Sequence, residues 1–170
     1  MLRSIKWLLA SVIVSTVSPA VVVSQAKYLR VSADTAAIHV APKLSSQVVS
    51  KARIGDVFQL GGKTGGWFEI FMFSGESRYI RESSSQATAQ ADPLPADEQT
   101  RKRACFEIVK AQDRAVTESH KRYPSDVMRQ IDLERLLYDR YELPIFQKYG
   151  IAAARKGALT VQCARNNWIP

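Results

Sequence analysis

Residues 38–80 read IHVAPKLSSQVVSKARIGDVFQLGGKTGGWFEIFMFSGESRYI, and this stretch decides the fold of the first half of the chain. Short runs rich in β-branched and aromatic residues alternate here with Gly, Pro and Ser, which favour turns. With a further run at 28–31, the pattern predicts about five or six short, regularly spaced strands. Strands of this length and spacing predict a small β-barrel over residues 27–82.

The strand at 67–73 (WFEIFMF) is apolar on both faces. A barrel this small can bury only one face of a strand in its own interior. The other face is therefore predicted to be covered by the second half of the chain or to form an exposed interaction patch.

After the barrel, residues 83–97 hold mainly Ser, Gln, Ala, Asp and Pro. This composition buries too little apolar surface to order itself, so it predicts a disordered linker. From Asp97, a good N-cap residue, apolar side chains recur at helical spacing, which predicts a separate helical domain over 98–170. Pro124 is expected to end the first helix, and Pro144 to lie in the first turn of a third helical element. Near the C-terminus, Trp168 is predicted to tuck over the helices or to form an exposed anchor.

The N-terminus has the three parts of a secretory signal peptide. Arg3 and Lys6 give a basic start, residues 7–23 are apolar or small, and small residues at 24–26 precede a cleavage point. We therefore predict a signal peptide at 1–26 and a protein exported to the periplasm or the cell exterior. The alternative is an uncleaved membrane anchor, because the apolar run lies at the lower limit for a membrane span.

Two cysteines, Cys105 and Cys163, lie in the helical half. An even number of cysteines in an exported chain usually forms disulfides, so a Cys105–Cys163 bridge is predicted. The alternatives are a metal site or a nucleophilic cysteine, but the nearest histidine, His120, is not at ligand spacing from either thiol. The sequence accordingly predicts no metal and no cofactor.

The chain has 24 Lys and Arg against 16 Asp and Glu, a formal net charge of +8. Most basic residues are interleaved with acids, which is typical of a solvated surface with a mild preference for anionic partners. Export excludes nucleic acid as a natural target, and the charge gives only weak support for membrane association. In the first helix, Arg101–Arg103 and later Lys and Arg residues make a basic face. That face could bind anionic wall polymer or lipid, or be a solvated flank.

The order of motifs in the first half resembles a bacterial SH3 (SH3b) domain over residues 28–82 only. The matching motifs are Ile38-His39-Val40, the Pro42–Ser46 loop, the Gly55-Asp56 turn, Gly66-Trp67-Phe68 and Arg78-Tyr79-Ile80. Three features depart from the family pattern. Ala41 stands where an Arg is usual, the Pro42–Ser46 loop is shortened, and Arg78 stands where a Gly is usual. The helical half carries no such resemblance.

The resemblance implies a non-catalytic module that binds cell-wall peptides or proteins. Candidate ligand-binding residues are Trp67, Arg78 and Tyr79, because amphipathic aromatic side chains at strand edges suit binding faces. Alternatively, Trp67 closes the barrel core. His39 alternates with apolar neighbours along its strand and is predicted to point to solvent.

We therefore expect an exported non-catalytic binding protein. Its SH3b-like module would engage peptidoglycan or a wall-associated protein, and its helical domain would dock an envelope partner. One alternative is a scaffold or assembly subunit of an envelope complex that binds only proteins. Another is a small periplasmic enzyme or enzyme inhibitor, although the sequence has no phosphate-binding loop, no Ser nucleophile motif and no Cys–His pairing. The oligomeric state is not indicated.

Overall fold

The computed structural model describes residues 27–168, so the predicted signal peptide lies outside the described residues. The described chain is a seven-stranded antiparallel sheet followed by three α-helices. The strands are β1 Tyr28–Val31, β2 Thr35–His39, β3 Val48–Arg53, β4 Val57–Thr64, β5 Trp67–Phe71, β6 Ser77–Arg81 and β7 Ser85–Thr88. The helices are α1 Glu98–Arg122, α2 Val127–Lys148 and α3 Lys156–Arg165.

The strands lie in the order β3-β2-β6-β5-β4-β1-β7. Tight turns join β4 to β5 and β5 to β6, and Gly66 and Gly75 within them both have a φ of +81°, which favours glycine. The side chains that face the sheet interior are completely buried, and these are Leu29, Ile38, Phe58, Ile70 and Ile80. The predicted β half with a compact apolar interior is thus confirmed at the level of a short-stranded antiparallel sheet.

The segment predicted as a linker, 83–97, differs from that prediction at its N-terminal end. Strand β7 pairs antiparallel with β1 there. Further along, Asp92 accepts a hydrogen bond from Arg30 at 3.1 Å, and Arg155 donates to the carbonyls of Ala91 and Asp92 at 2.8 and 2.9 Å. Backbone pairing and these side-chain contacts need no large apolar residues, so the composition of the segment gave no sign of them.

The two helix starts follow local capping rules as predicted. The carboxylate of Asp97 accepts hydrogen bonds from the N–H groups of Gln99 and Thr100, and Asp126 accepts one from Arg129. Each carboxylate satisfies donors that a helix N-terminus leaves unpaired. Helix α1 ends two residues before Pro124, in agreement with the prediction.

Pro144 does not start a third helix, so that prediction is wrong. It lies inside α2, which continues to Lys148. A proline there removes one helical hydrogen bond, but Pro144 is on the exposed face, where the freed carbonyl can bind water. Its neighbours Leu143 and Phe146 are buried, and their packing keeps the helix continuous.

The sheet and the helices share one apolar core, whereas the sequence predicted a separate helical domain. The rings of Phe73, just after β5, and Phe146 of α2 lie with their centroids 4.7 Å apart. The helical half therefore covers Phe73, whereas Phe71, on the same predicted face of the strand, stays 40% exposed. Trp168 is buried against the same core, as predicted.

The Cys105–Cys163 disulfide is present, as predicted, with the two Cα atoms 5.9 Å apart. It joins the first turns of α1 to the C-terminal end of α3. Both cysteines are buried in the shared core. Across residues 27–168, no helix is long and apolar enough to cross a membrane.

Candidate functional site

Trp67, predicted either to bind ligand or to close the core, is only 7% exposed. Its ring meets that of His39 edge-on with 5.1 Å between centroids, and the Arg81 guanidinium lies 5.8 Å from the ring centroid. The side chain is therefore surrounded by its own chain and offers little surface to a ligand.

His39 is buried, so the prediction that it points to solvent is wrong. Its Nδ1 lies 3.2 Å from the hydroxyl of Ser46. The β2–β3 pairing shifts register between Ile38 and His39. This irregularity breaks the alternation on which the prediction rested, so that consecutive side chains are both buried.

Arg78 is also turned inward, and its side chain is paired rather than free. Its Nη2 lies 2.8 Å from Oδ2 of Asp139 on α2, and its Nη1 donates to the backbone carbonyl of Ser77 at 3.0 Å. Tyr79, the next residue, is half-buried and lies opposite His39 and Glu69 in the sheet register. The three predicted binding residues thus do not form one exposed surface.

A set of buried and half-buried charged and polar side chains lies where the sheet meets the helices, and we call it the interface cluster. Its members are Ser74, Arg78, Gln112, Asp139, Glu142 and Lys156. Asp139 accepts hydrogen bonds from the Ser74 N–H at 2.8 Å and from its hydroxyl at 3.0 Å. Glu142 accepts one from Gln112 at 2.9 Å. The cluster connects the β5–β6 turn to all three helices.

Lys156 of α3 is the cation that faces Glu142. Its Nζ lies 3.4 Å from Oε1 in hydrogen-bond geometry and 3.2 Å from Oε2 without it, so Oε2 has no hydrogen-bond partner among the described residues. The same ammonium donates to the carbonyl of Phe73. Lys156 therefore bridges α2 and the end of β5.

Both carboxylates of the interface cluster are completely buried. Burial raises the pKa of Asp139 above its ordinary value, against the opposing effect of the Ser74 and Arg78 contacts. Burial likewise raises the pKa of Glu142, against the effect of Lys156 and Gln112. Buried, paired charges of this kind fix the position of the sheet half relative to the helical half. Neither Asp139 nor Glu142 faces solvent.

Beside this cluster, an open groove of about 480 Å³ runs between the sheet half and the first half of α2, with Tyr123 of the preceding turn at its edge. We call it the junction groove. Its lining residues are Val40, Gln47, Glu76 and Arg78 from the sheet half, with Tyr123, Arg129, Asp132, Leu133, Arg135 and Leu136 from the helical half. Arg78 is the one predicted binding residue that reaches it.

The charged side chains of the junction groove are partly neutralised. Arg135 pairs with Glu76 at 2.8 Å, and Arg129 pairs with Asp126 at 3.2 Å. Asp132 is exposed and forms no ion pair with the described residues. Apolar side chains lie between these polar groups. The groove therefore offers an apolar strip flanked by positively charged donors and negatively charged acceptors of hydrogen bonds. Such a lining suits a peptide with mixed side chains.

Residues from the helical half, notably Tyr123, Leu133 and Leu136, were not predicted as site residues. The helical spacing of Leu133 and Leu136 predicts core residues, and a stripe of this kind does not reveal which of its members lie at an open edge. Only the packing of α2 on the sheet places them beside Val40. Tyr123 stands at the predicted end of the first helix, where nothing in the sequence marks it as a site residue.

Among the described residues, no group of three or more His, Cys, Asp or Glu side chains is placed so that it could hold a metal ion. Comparison with models of known protein families finds no match, and comparison with curated proteins finds none either.

Proposed function

We propose that the protein is an exported, non-catalytic binding protein that holds a cell-wall peptide or a segment of a wall-associated protein in the junction groove. The sequence resemblance of residues 28–82 to SH3b domains supports the wall as the target. The disulfide between Cys105 and Cys163 is compatible with export to an oxidising compartment.

The single observation that carries the proposal is that both halves line the junction groove. Val40 and Gln47 come from the loop between β2 and β3, whereas Leu133 and Leu136 come from α2. A ligand seated there would contact both, and sites at such junctions commonly bind ligands. The proposal therefore differs from the sequence-based expectation, in which the sheet half alone binds the wall and the helical half docks a partner.

The test is co-sedimentation of residues 27–170 with purified wall sacculi at low and high salt. Two variants act on the groove, since Gln47→Trp fills it from an exposed position and Leu133→Gln removes part of its apolar strip. The matched control is Leu44→Gln, a leucine that is exposed outside the groove.

We expect retention at high salt for the natural chain and the control, and loss for both groove variants, each checked for folding by circular dichroism. Retention that disappears at high salt would reduce the interaction to charge attraction and contradict the proposal. Full retention by Gln47→Trp would exclude the groove as the site.

A scaffold that binds only proteins is the second candidate, and exposed apolar residues favour it. Val127 and Met128, at the start of α2, are 64% and 68% exposed and adjoin Arg129 of the groove. An apolar extension of a groove suits a protein segment better than a polar wall peptide. This candidate predicts that the chain does not sediment with sacculi. It also predicts that the chain binds an envelope protein and that Met128→Ser abolishes this binding.

A further inference from the structure

The solvent face of α1 carries a concentration of positive charge around one apolar side chain. The exposed cations are Lys102, Arg103, Lys110, Arg114 and Lys121. Phe106 lies among them and is 50% exposed. By helical geometry all six residues fall within about 120° of the helix circumference. We call these six residues the basic face.

Acidic residues near the basic face do little to cancel it. Glu107, at its edge, is occupied by Lys148 at 2.7 Å and Tyr149 at 2.8 Å, and the bond from Lys148 holds the pKa of Glu107 below its usual value. Glu118 accepts the hydroxyl of Tyr141. Asp113 is the one carboxylate within the arc.

The cations themselves are available to an external anion. Within residues 27–168, Lys102, Arg103, Lys110 and Lys121 form no ion pair. The Nζ of Lys110 lies 4.8 Å from the centroid of the Phe106 ring, so charge and apolar surface are presented together.

A shallow hollow of about 350 Å³ lies at one end of the basic face. Its lining residues are Gln99, Lys102, Arg103, Phe106, Glu107 and Lys110 of α1, with Tyr149 just after α2. The Glu107 carboxylate among them is the one already engaged by Lys148 and Tyr149. Unpaired ammonium and guanidinium groups around two aromatic rings form the combination that suits a phosphate group attached to an apolar body.

We infer that the basic face docks the protein on an anionic phospholipid surface, with Lys and Arg against the headgroup phosphates and Phe106 at the acyl boundary. The charges extend over about 30 Å of helix, a spread that fits a flat, multiply charged surface. A stable protein interface needs a larger apolar centre than one phenylalanine. Interfacial binding, by contrast, combines cations with a few inserted aromatic side chains.

The test measures binding of residues 27–170 to sedimented vesicles of phosphatidylglycerol mixed with phosphatidylcholine, and to vesicles of phosphatidylcholine alone. The variant Lys102→Glu/Arg103→Glu/Lys110→Glu reverses the cations around Phe106. The matched control, Lys27→Glu/Lys43→Glu/Lys51→Glu, makes the same charge change at exposed lysines of the sheet half. A fourth protein, Phe106→Ser, changes no charge and removes a half-exposed ring.

We expect binding only to the phosphatidylglycerol vesicles. The basic-face reversal should weaken it about a hundredfold and Phe106→Ser about tenfold, while the control stays within about threefold of the natural chain. Equal losses in the two triple variants would show generic charge attraction and overturn the inference. The absence of vesicle binding would also overturn the inference. This holds equally if the basic face binds sacculi or an acidic protein but no vesicles.

Discussion

Replacement of Asp139 by alanine should lower the free energy of unfolding by about 3–5 kcal/mol. The substitution leaves the Arg78 side chain, which is 9% exposed, as a buried charge without its carboxylate. It also removes the acceptor of the Ser74 N–H and hydroxyl. Broken buried pairs cost this much because the remaining ion is neither solvated nor paired.

The double variant Arg78→Met/Asp139→Leu separates this cause from loss of packing. It removes both charges and keeps side chains of similar volume, but it still leaves the two Ser74 donors without their acceptor. It should therefore cost about 1–3 kcal/mol, less than Asp139→Ala. A double-mutant cycle from these proteins and the two single variants gives the coupling between the sheet and α2 directly.

Urea unfolding followed by far-ultraviolet circular dichroism measures each free energy. Asp132→Ala is the matched control, since this aspartate lies on the same helix but is exposed and should cost under about 0.5 kcal/mol. The reasoning is refuted if Asp139→Ala costs less than about 1 kcal/mol, or if the double variant is as unstable as the sum of the single ones.

Three further perturbations test other parts of the structure. Cys105→Ala/Cys163→Ala should lower the free energy of unfolding by roughly 4 kcal/mol, because the bridge closes a loop with a sequence separation of 58; an unchanged urea midpoint would contradict this. Burial raises the pKa of Glu142 above 4.5, so the folded chain holds that proton more tightly than the unfolded chain does. The contribution of Glu142 to stability therefore grows as the pH falls from neutral through its folded pKa. In urea titrations at a series of pH values, Glu142→Gln should reduce the rise in unfolding free energy that accompanies the fall in pH. An identical pH profile for the variant and the natural chain would exclude Glu142 as the source of that rise. Residues 27–97 alone should bind a hydrophobic dye and unfold without cooperativity, because they lack the helices that cover Phe73, whereas a sharp transition with no dye binding would show an independent domain.

Local rules explain what the sequence predicted well. The caps at Asp97 and Asp126 and the helix end before Pro124 depend only on residues within one helical turn. The disulfide followed from the cysteine count and the expected compartment. None of these inferences needed knowledge of how distant segments pack.

The predictions that were wrong concern features that local rules do not determine. Strand β7 forms because β1 offers an unpaired edge, and Pro144 stays inside α2 because the surrounding apolar residues pack against the sheet. His39 is buried because of a register shift that sequence alternation cannot reveal. Each depends on pairing or packing between segments far apart in the chain.

The candidate site was predictable only in part, for the same reason. Arg78 stood out as a departure from the SH3b pattern, and it does line the junction groove. Its partner Asp139 had no distinguishing sequence context, because its role comes from burial against the sheet. Leu133 and Leu136 could not be separated from the core residues of the same stripe.

The most direct test of a binding function at the junction groove is a chemical-shift map of residues 27–170 titrated with soluble peptidoglycan fragments. We expect the amide signals of Val40 and Gln47 in the sheet half to move together with those of Leu133 and Leu136 in α2. The same fragments should leave the signals of the basic face unchanged. No saturable shifts, or shifts confined to one half of the chain away from the groove, would contradict the proposed function.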